Sequence, residues 1–150
     1  FDISNIFGKE AVGSMVSFHK GKADKNNYRR FKIKGLSSID DYSMLAEITR
    51  RRYLRLKEEK KPLPDLVIID GGKGQVNSVK KELTKLGIDI PVIGIAKQHE
   101  ELYLPLRSKA VSFPKDSPAL QLIQRVRDEA HRFALKYHHV LRRKKTFEEK

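Results

Sequence analysis

Apolar and polar positions alternate from the first residues. Phe1-Asp2-Ile3-Ser4 reads as the end of a strand, and residues 11–18 and 28–33 alternate in the same way around the polar turn of residues 19–24. The period then lengthens. Tyr42, Leu45, Ile48, Arg52 and Leu56 follow helical spacing, Ser37-Ser38-Ile39-Asp40-Asp41 supplies capping residues, and Pro62 and Pro64 stop the segment, which predicts a helix over about 40–60. Residues 65–70 read as a buried strand, with the apolar run Leu66-Val67-Ile68-Ile69 ending in Asp70. Residues 74–86 read as a helix stopped by Gly87, and residues 91–96 as a second buried strand. Residues 102–113 predict a hairpin around Arg107-Ser108-Lys109. Asp116-Ser117-Pro118 then opens a long helix whose apolar stripe is Leu122, Val126, Ala130, Phe133, Tyr137 and Val140.

Three successive antiparallel strands followed by strand–helix units predict a mixed five-stranded sheet flanked by helices. This is an α/β arrangement of ribonuclease H-like order, within one domain spanning 1–150. There are no repeats, low-complexity linkers or second domain. The chain opens inside a strand without Met and closes in a charged run, as a fragment of a longer protein would.

Charge changes the picture most. The 150 residues carry 32 Lys+Arg against 19 Asp+Glu, a formal net charge of +13. Such an excess fits a polyanionic partner. No amphipathic stretch pairs a basic face with bulky aromatics, so nucleic acid is favoured over a membrane surface. A Lys/Glu-rich solvated surface accounts for Lys57-Glu58-Glu59-Lys60-Lys61 but not for the net excess. Without cysteine the chain has neither disulfides nor thiolate metal ligands. With no signal or spanning segment, the expectation is a cytoplasmic monomer.

Three side chains could converge in such a sheet. Asp70 ends a buried strand, where α/β proteins place ligands and where an uncompensated carboxylate is costly; capping the next helix would explain a lone Asp there equally well. Asp2 lies on the first strand. If these two strands are neighbours, their carboxylates come within reach of one divalent cation, and hard oxygen ligands suit Mg²⁺ or Mn²⁺. His131 follows Ala130 at the border of the last helix's stripe, where a lone histidine is more often structural or solvated. Two carboxylates awaiting a third ligand favour the metal role. Phosphodiester hydrolysis uses such a set, because two cations about 4 Å apart can activate water and stabilise the leaving oxygen. The histidine can complete a metal's shell or move protons.

Around this set lie candidate DNA contacts: Arg29, Arg30, Lys73, Lys97, Arg125, Arg127 and Arg132, with the tail Arg142-Arg143-Lys144-Lys145. Basic residues at a helix end also complement its dipole. Capping accounts for Asp40 and Asp41. Glu129, His19, His99, His138 and His139 have no motif behind them and read as structural or surface residues. Gly71-Gly72-Lys73-Gly74-Gln75 lacks the spacing of a nucleotide-phosphate loop, and no hydroxyl follows its lysine.

Taken together, Asp2-Ile3-Ser4, Tyr28-Arg29-Arg30-Phe31, Asp40-Asp41-Tyr42, the segment from Ile69 to Gln75, Gly94-Ile95-Ala96-Lys97, Asp116-Ser117-Pro118-Ala119-Leu120 and the segment from Arg127 to Ala134 resemble the C-terminal endonuclease region of the UvrC family. The resemblance covers essentially the whole chain in order. It implies a ribonuclease H-like domain that cuts damaged double-stranded DNA on the 5′ side of a lesion, during bacterial nucleotide excision repair. The family's catalytic triad falls on Asp2, Asp70 and His131, Asp41 matches a further acidic position linked to activity, and the metal is Mg²⁺ or Mn²⁺. The GIY-YIG nuclease, the region that binds the partner UvrB and the helix-hairpin-helix motifs have no counterpart in this sequence. A histidine stands where many ribonuclease H relatives have a carboxylate, so their metal geometry does not transfer. The other reading is a catalytically silent nucleic-acid-binding module on the same fold.

Overall fold

The computed structural model describes the backbone of residues 1–6, 10–33, 41–95, 101–105 and 109–148, and the side chains of 1–2, 11–33, 42–95, 101–105 and 109–137. Strand β1 (Asp2–Ile6) pairs antiparallel with β2 (Glu10–Met15), which pairs antiparallel with β5 (Arg29–Ile33). Between them, β3 (Phe18–His19) and β4 (Lys22–Ala23) form a separate hairpin. Lys20 and Gly21 at its tip have φ of 52° and 77°, the two left-handed positions a tight primed turn requires. Helix α1 (Asp41–Glu58) leads to β6 (Val67–Asp70), α2 (Lys73–Lys85) and β7 (Val92–Ile95), which lies parallel to β6. Strands β8 (Glu101–Tyr103) and β9 (Val111–Ser112) extend this sheet antiparallel, and α3 (Pro118–Glu148) closes the chain.

The single five-stranded sheet expected from the sequence is not what forms. A three-stranded antiparallel sheet, β1-β2-β5, lies beside a four-stranded mixed sheet, β6-β7-β8-β9. The expected hairpin does not hang free: Leu102 is buried with Leu120 of α3, and this draws β8 onto the open edge of β7. Contact between the two sheets runs through Phe1. Its N–H donates to the Ile68 carbonyl at 2.9 Å, and its carbonyl accepts from Asp70 N–H at 3.2 Å. This is the slanted pattern of a parallel ladder.

Alternation sorts the side chains onto two faces. Phe1, Met15, Phe31, Val67, Ile69 and Val92 pack against Leu45, Ile48 and Leu56 of α1 and Val76, Val79 and Leu83 of α2. On the other face Ile68, Ile93 and Ile95 meet Leu120 and Ile123 of α3. Of the stripe predicted for α3, Ala130 is buried and Val126, Phe133 and Tyr137 are half-buried, but Leu122 is exposed and Leu120 takes its place in the core. Val140 lies outside the described side chains.

Helix ends follow their local chemistry. After α2, Gly87 adopts φ 71° and donates to Thr84, while Ile88 donates to Leu83, the double reverse bond of a Schellman end. The same end closes α1, where Lys60 and Lys61 donate to Lys57 and Leu56. The left-handed residue there is Lys60, at φ 55°, and it comes before either proline.

Candidate active site

Phe1 bridges to β6 at the level of Ile69, and both point into the α1/α2 core. The next residues, Asp2 and Asp70, therefore stand side by side on the α3 face. Ladder register continues the row: Arg30 lies opposite Ser14, Ser14 opposite Asp2, and Asp70 opposite Ile95. A transverse row thus runs Arg30–Ser14–Asp2–Asp70–Ile95 beneath α3. Ala130 and Ala134, both buried, keep that helix close.

From α3, His131 Nδ1 reaches to 3.6 Å from Asp2 Oδ2, slightly beyond a direct hydrogen bond. The imidazole is 59% exposed, while the Asp2 carboxylate is only 11% exposed. Burial pushes the Asp2 carboxyl above the usual range, and the neighbouring Asp70 charge adds to that; His131 works in the opposite direction. Asp70 Oδ1 is buried and has no hydrogen-bond partner among the described residues, and the same holds for Ser14 Oγ. A buried carboxylate oxygen left unbonded is the kind of atom a cation or water completes.

Two hard carboxylates and an imidazole suit Mg²⁺ or Mn²⁺ in donor chemistry. Among the described residues, however, no three His, Asp or Glu side chains gather closely enough to hold a cation together.

Glycines set the height of the Asp70 turn. A Cβ on Gly94 would fall 2.5 Å from both the Gly71 carbonyl oxygen and Val76 Cγ2, so only glycine lets β7 pass beneath the residue that follows Asp70. The Gln75 side chain accepts the Gly72 N–H at 3.1 Å, which supplies one arm of a capping box. Gly74 lies against the Tyr42 ring. The capping role considered for Asp70 thus belongs to Gly72 and Gln75.

The basic candidates divide. Lys73, the first residue of α2, is exposed three positions beyond Asp70. Arg29 donates to the carbonyls of Asn26 and Tyr28. The Arg30 guanidinium lies 3.7 Å from the Phe133 ring centroid and 4.9 Å from that of Tyr137, and it donates to the Phe133 carbonyl. Arg127 pairs with Asp128 at 3.1 Å. Arg132 pairs with Glu129 at 2.6 Å. Glu129 also accepts the Tyr28 hydroxyl at 3.0 Å, so it is turned to β5 and Arg132. Asp41 is the first residue of α1, but its side chain lies outside the described set, as do those of the tail arginines and lysines, His138 and His139. Asp40, Lys97 and His99 are outside it entirely.

Sequence reasoning missed Tyr28 and Ser14. Ser14 left one signal, a lone hydroxyl inside an apolar strand. Tyr28 stood in the Tyr28-Arg29-Arg30-Phe31 segment, but its bond to Glu129, 101 positions away, left no signal.

A three-layer α/β domain with paired carboxylates beside a histidine defines the class. The chain matches the UvrC RNAse H endonuclease domain over residues 1–135, and it belongs to that family. It is 52% identical over 144 residues to UvrABC system protein C of Methanosarcina mazei, covering 96% of this chain and 28% of that protein. It is 51% identical over 148 residues to the protein of the same name from Chlorobium chlorochromatii, covering 99% and 24%. For Dehalococcoides mccartyi strain CBDB1 the identity is 55% over 150 residues, covering 96% and 25%. The chain thus spans about a quarter of the length of these relatives. Among the described residues no helix is long and apolar enough to cross a membrane.

Proposed function

We propose that this chain is a metal-dependent DNA endonuclease that hydrolyses a phosphodiester bond on the 5′ side of a lesion in nucleotide excision repair, working with UvrB in the cytoplasm. The observation that carries the proposal is the placement of Asp2 beside Asp70, with His131 Nδ1 3.6 Å from Asp2. Membership of an endonuclease-domain family supports it.

In this reading Asp2 and Asp70 hold Mg²⁺ or Mn²⁺, and His131 stands beside them. The bound cation would supply charge neutralisation for the phosphate and a water of lowered pKa. Asp70 offers its unpartnered Oδ1. Asp2, once ionised, would make the local potential favourable for a cation. His131 faces solvent on one side and Asp2 on the other, and this placement lets it hold or pass a proton at Nδ1. Lys73 is free to meet a non-bridging phosphate oxygen of the cut strand.

The test is incision of a lesion-bearing duplex in Mg²⁺ or Mn²⁺ with UvrB present, the cut mapped on both sides of the lesion. Asp70→Asn and His131→Ala are expected to lower 5′ cutting by at least about a hundredfold, since each removes a group acting in the reaction itself. Unchanged 5′ cutting by Asp70→Asn would exclude the assignment. The silent-module reading draws on the lack of a three-donor cluster among the described residues. It predicts DNA binding with no metal-dependent cutting by the unaltered chain.

A further inference from the structure

Away from the paired carboxylates, the β3–β4 hairpin and the first half of α3 enclose an open pocket of about 530 Å³, lined by Phe18, Lys22, Lys25, Arg125, Glu129 and Arg132 among others. Four of these six side chains are cationic and one is anionic. The single anion is already matched: Glu129 accepts from Arg132 and Tyr28, and those bonds hold its carboxyl below the usual range. Arg125 donates to the Gly21 carbonyl at 2.8 Å, which ties the hairpin tip to α3 and fixes the pocket's outer wall. Lys22 and Lys25 are exposed and make neither an ion pair nor a hydrogen bond among the described residues. Two exposed ammonium groups, of which Lys25 adds its charge to those acting on Glu129, therefore share one concavity with the half-buried ring of Phe18.

An aromatic surface among cations that outnumber the anions is the chemistry of a nucleic-acid strand, with phosphates on the ammonium groups and a base on the ring. The pocket also adjoins the candidate site. Arg132 lines it and is the residue next to His131, while Arg125 lies six positions earlier on the same helix, about 9 Å along the axis at 1.5 Å per residue.

We propose that this pocket is a second DNA-backbone site, which takes phosphates of the strand flanking the scissile bond and sets its path over α3 toward His131. The proposal rests on the DNA endonuclease reading given above. Phe18, with Lys22 and Lys25, receives a nucleotide of that strand, and Arg125 and Arg132 border its backbone.

The test compares Lys22→Ala/Lys25→Ala with Lys81→Ala/Lys85→Ala, which removes the same charge from α2. Binding of the chain to a fluorescein-labelled duplex with a single-stranded tail is measured over a salt series, and folding is checked by thermal melting. The pocket variant is expected to bind five- to tenfold more weakly. Its slope of log affinity against log salt should fall by about 1.4 to 1.8, the value for two lost phosphate contacts. Lys22→Arg/Lys25→Arg should retain both, and the α2 variant should change little. Equal losses in the pocket and α2 variants would overturn the proposal while leaving the endonuclease reading intact. So would displacement of the labelled DNA by a poly-glutamate peptide as readily as by an oligonucleotide of equal charge, which would assign the pocket to an acidic protein surface. An unaltered chain that neither binds nor cuts DNA would instead remove the endonuclease reading on which the proposal rests.

Discussion

Asp2 and Asp70 occupy adjacent positions on neighbouring strands, and burial together with the Asp70 charge raises the cost of ionising Asp2. With its folded-state pKa raised, Asp2 holds its proton more tightly in the folded protein than in the unfolded chain. Its favourable contribution is complete below the ordinary carboxylate range and is lost as pH rises through the elevated folded value. At neutral pH and without metal, the buried Asp2 carboxyl therefore destabilises the fold relative to acid pH. Asp2→Asn should raise the melting temperature at pH 7 in EDTA, with the gain shrinking toward pH 4. A melting temperature below that of the unaltered chain at pH 7 would contradict this account.

Gly94→Ala should be among the most damaging single-methyl changes in the chain. The added carbon meets a main-chain oxygen and a buried Val76 methyl, and neither can withdraw without moving the turn after Asp70. A loss of about 2–3 kcal/mol in denaturant unfolding is expected. The same change at Gly21, where nothing lies within 4 Å, meets only the strain of φ 77° and should cost about 1–2 kcal/mol.

Lys60 carries a left-handed backbone at the end of α1, where glycine would bear no Cβ penalty. Lys60→Gly should stabilise the protein by about 1 kcal/mol, read as a higher urea midpoint at unchanged m-value. Destabilisation would show that the lysine side chain does more there than the Schellman bonds reveal.

Arg30 is held by planar stacking on Phe133 as well as by charge. Arg30→Lys keeps the charge but loses the flat face, and about 1 kcal/mol of stability should go with it. If Arg30 also meets DNA, the lysine variant should retain most of the affinity. Equal losses for Lys and Ala in both measurements would assign the residue to stacking alone.

Tyr28 donates to Glu129 across 101 positions, and burial together with that bond and the Glu129 charge pushes its phenol up to about 12. Ultraviolet titration should show one tyrosine ionising in that range, and the signal should vanish in Tyr28→Phe. The substitution should also cost about 1 kcal/mol, the ordinary worth of one hydrogen bond.

Much of this architecture could be read from pattern. The β-branched runs before Asp70 and after Pro91 could only be buried strands, and Gly87 marked the end of α2. The way the two sheets meet could not be read, because it depends on two backbone bonds from Phe1, and the place of β8 depends on Leu102 finding Leu120. Leu122 was misplaced by one helical step: its spacing suits the stripe, but Leu120 takes the contact with Ile93 and Ile95. Asp2 and Asp70 were legible as a pair because strand order makes them neighbours. The role of Arg30 was not, although Phe133 and Tyr137, four apart on one helix, form the shelf on which its guanidinium lies.

His131 and Asp2 stand 129 positions apart, with Asp70 between them in the chain, and each belongs to a different structural layer or sheet. Such a constellation has no partial form. A chain with only its first sheet folded holds one carboxylate, a chain with both sheets but α3 undocked lacks the imidazole, and the entropy of closing that long loop is met only when α3 docks through its buried Ala130 and Ala134. The proximity of these two side chains therefore serves as a gauge of whether α3 has docked on the sheets.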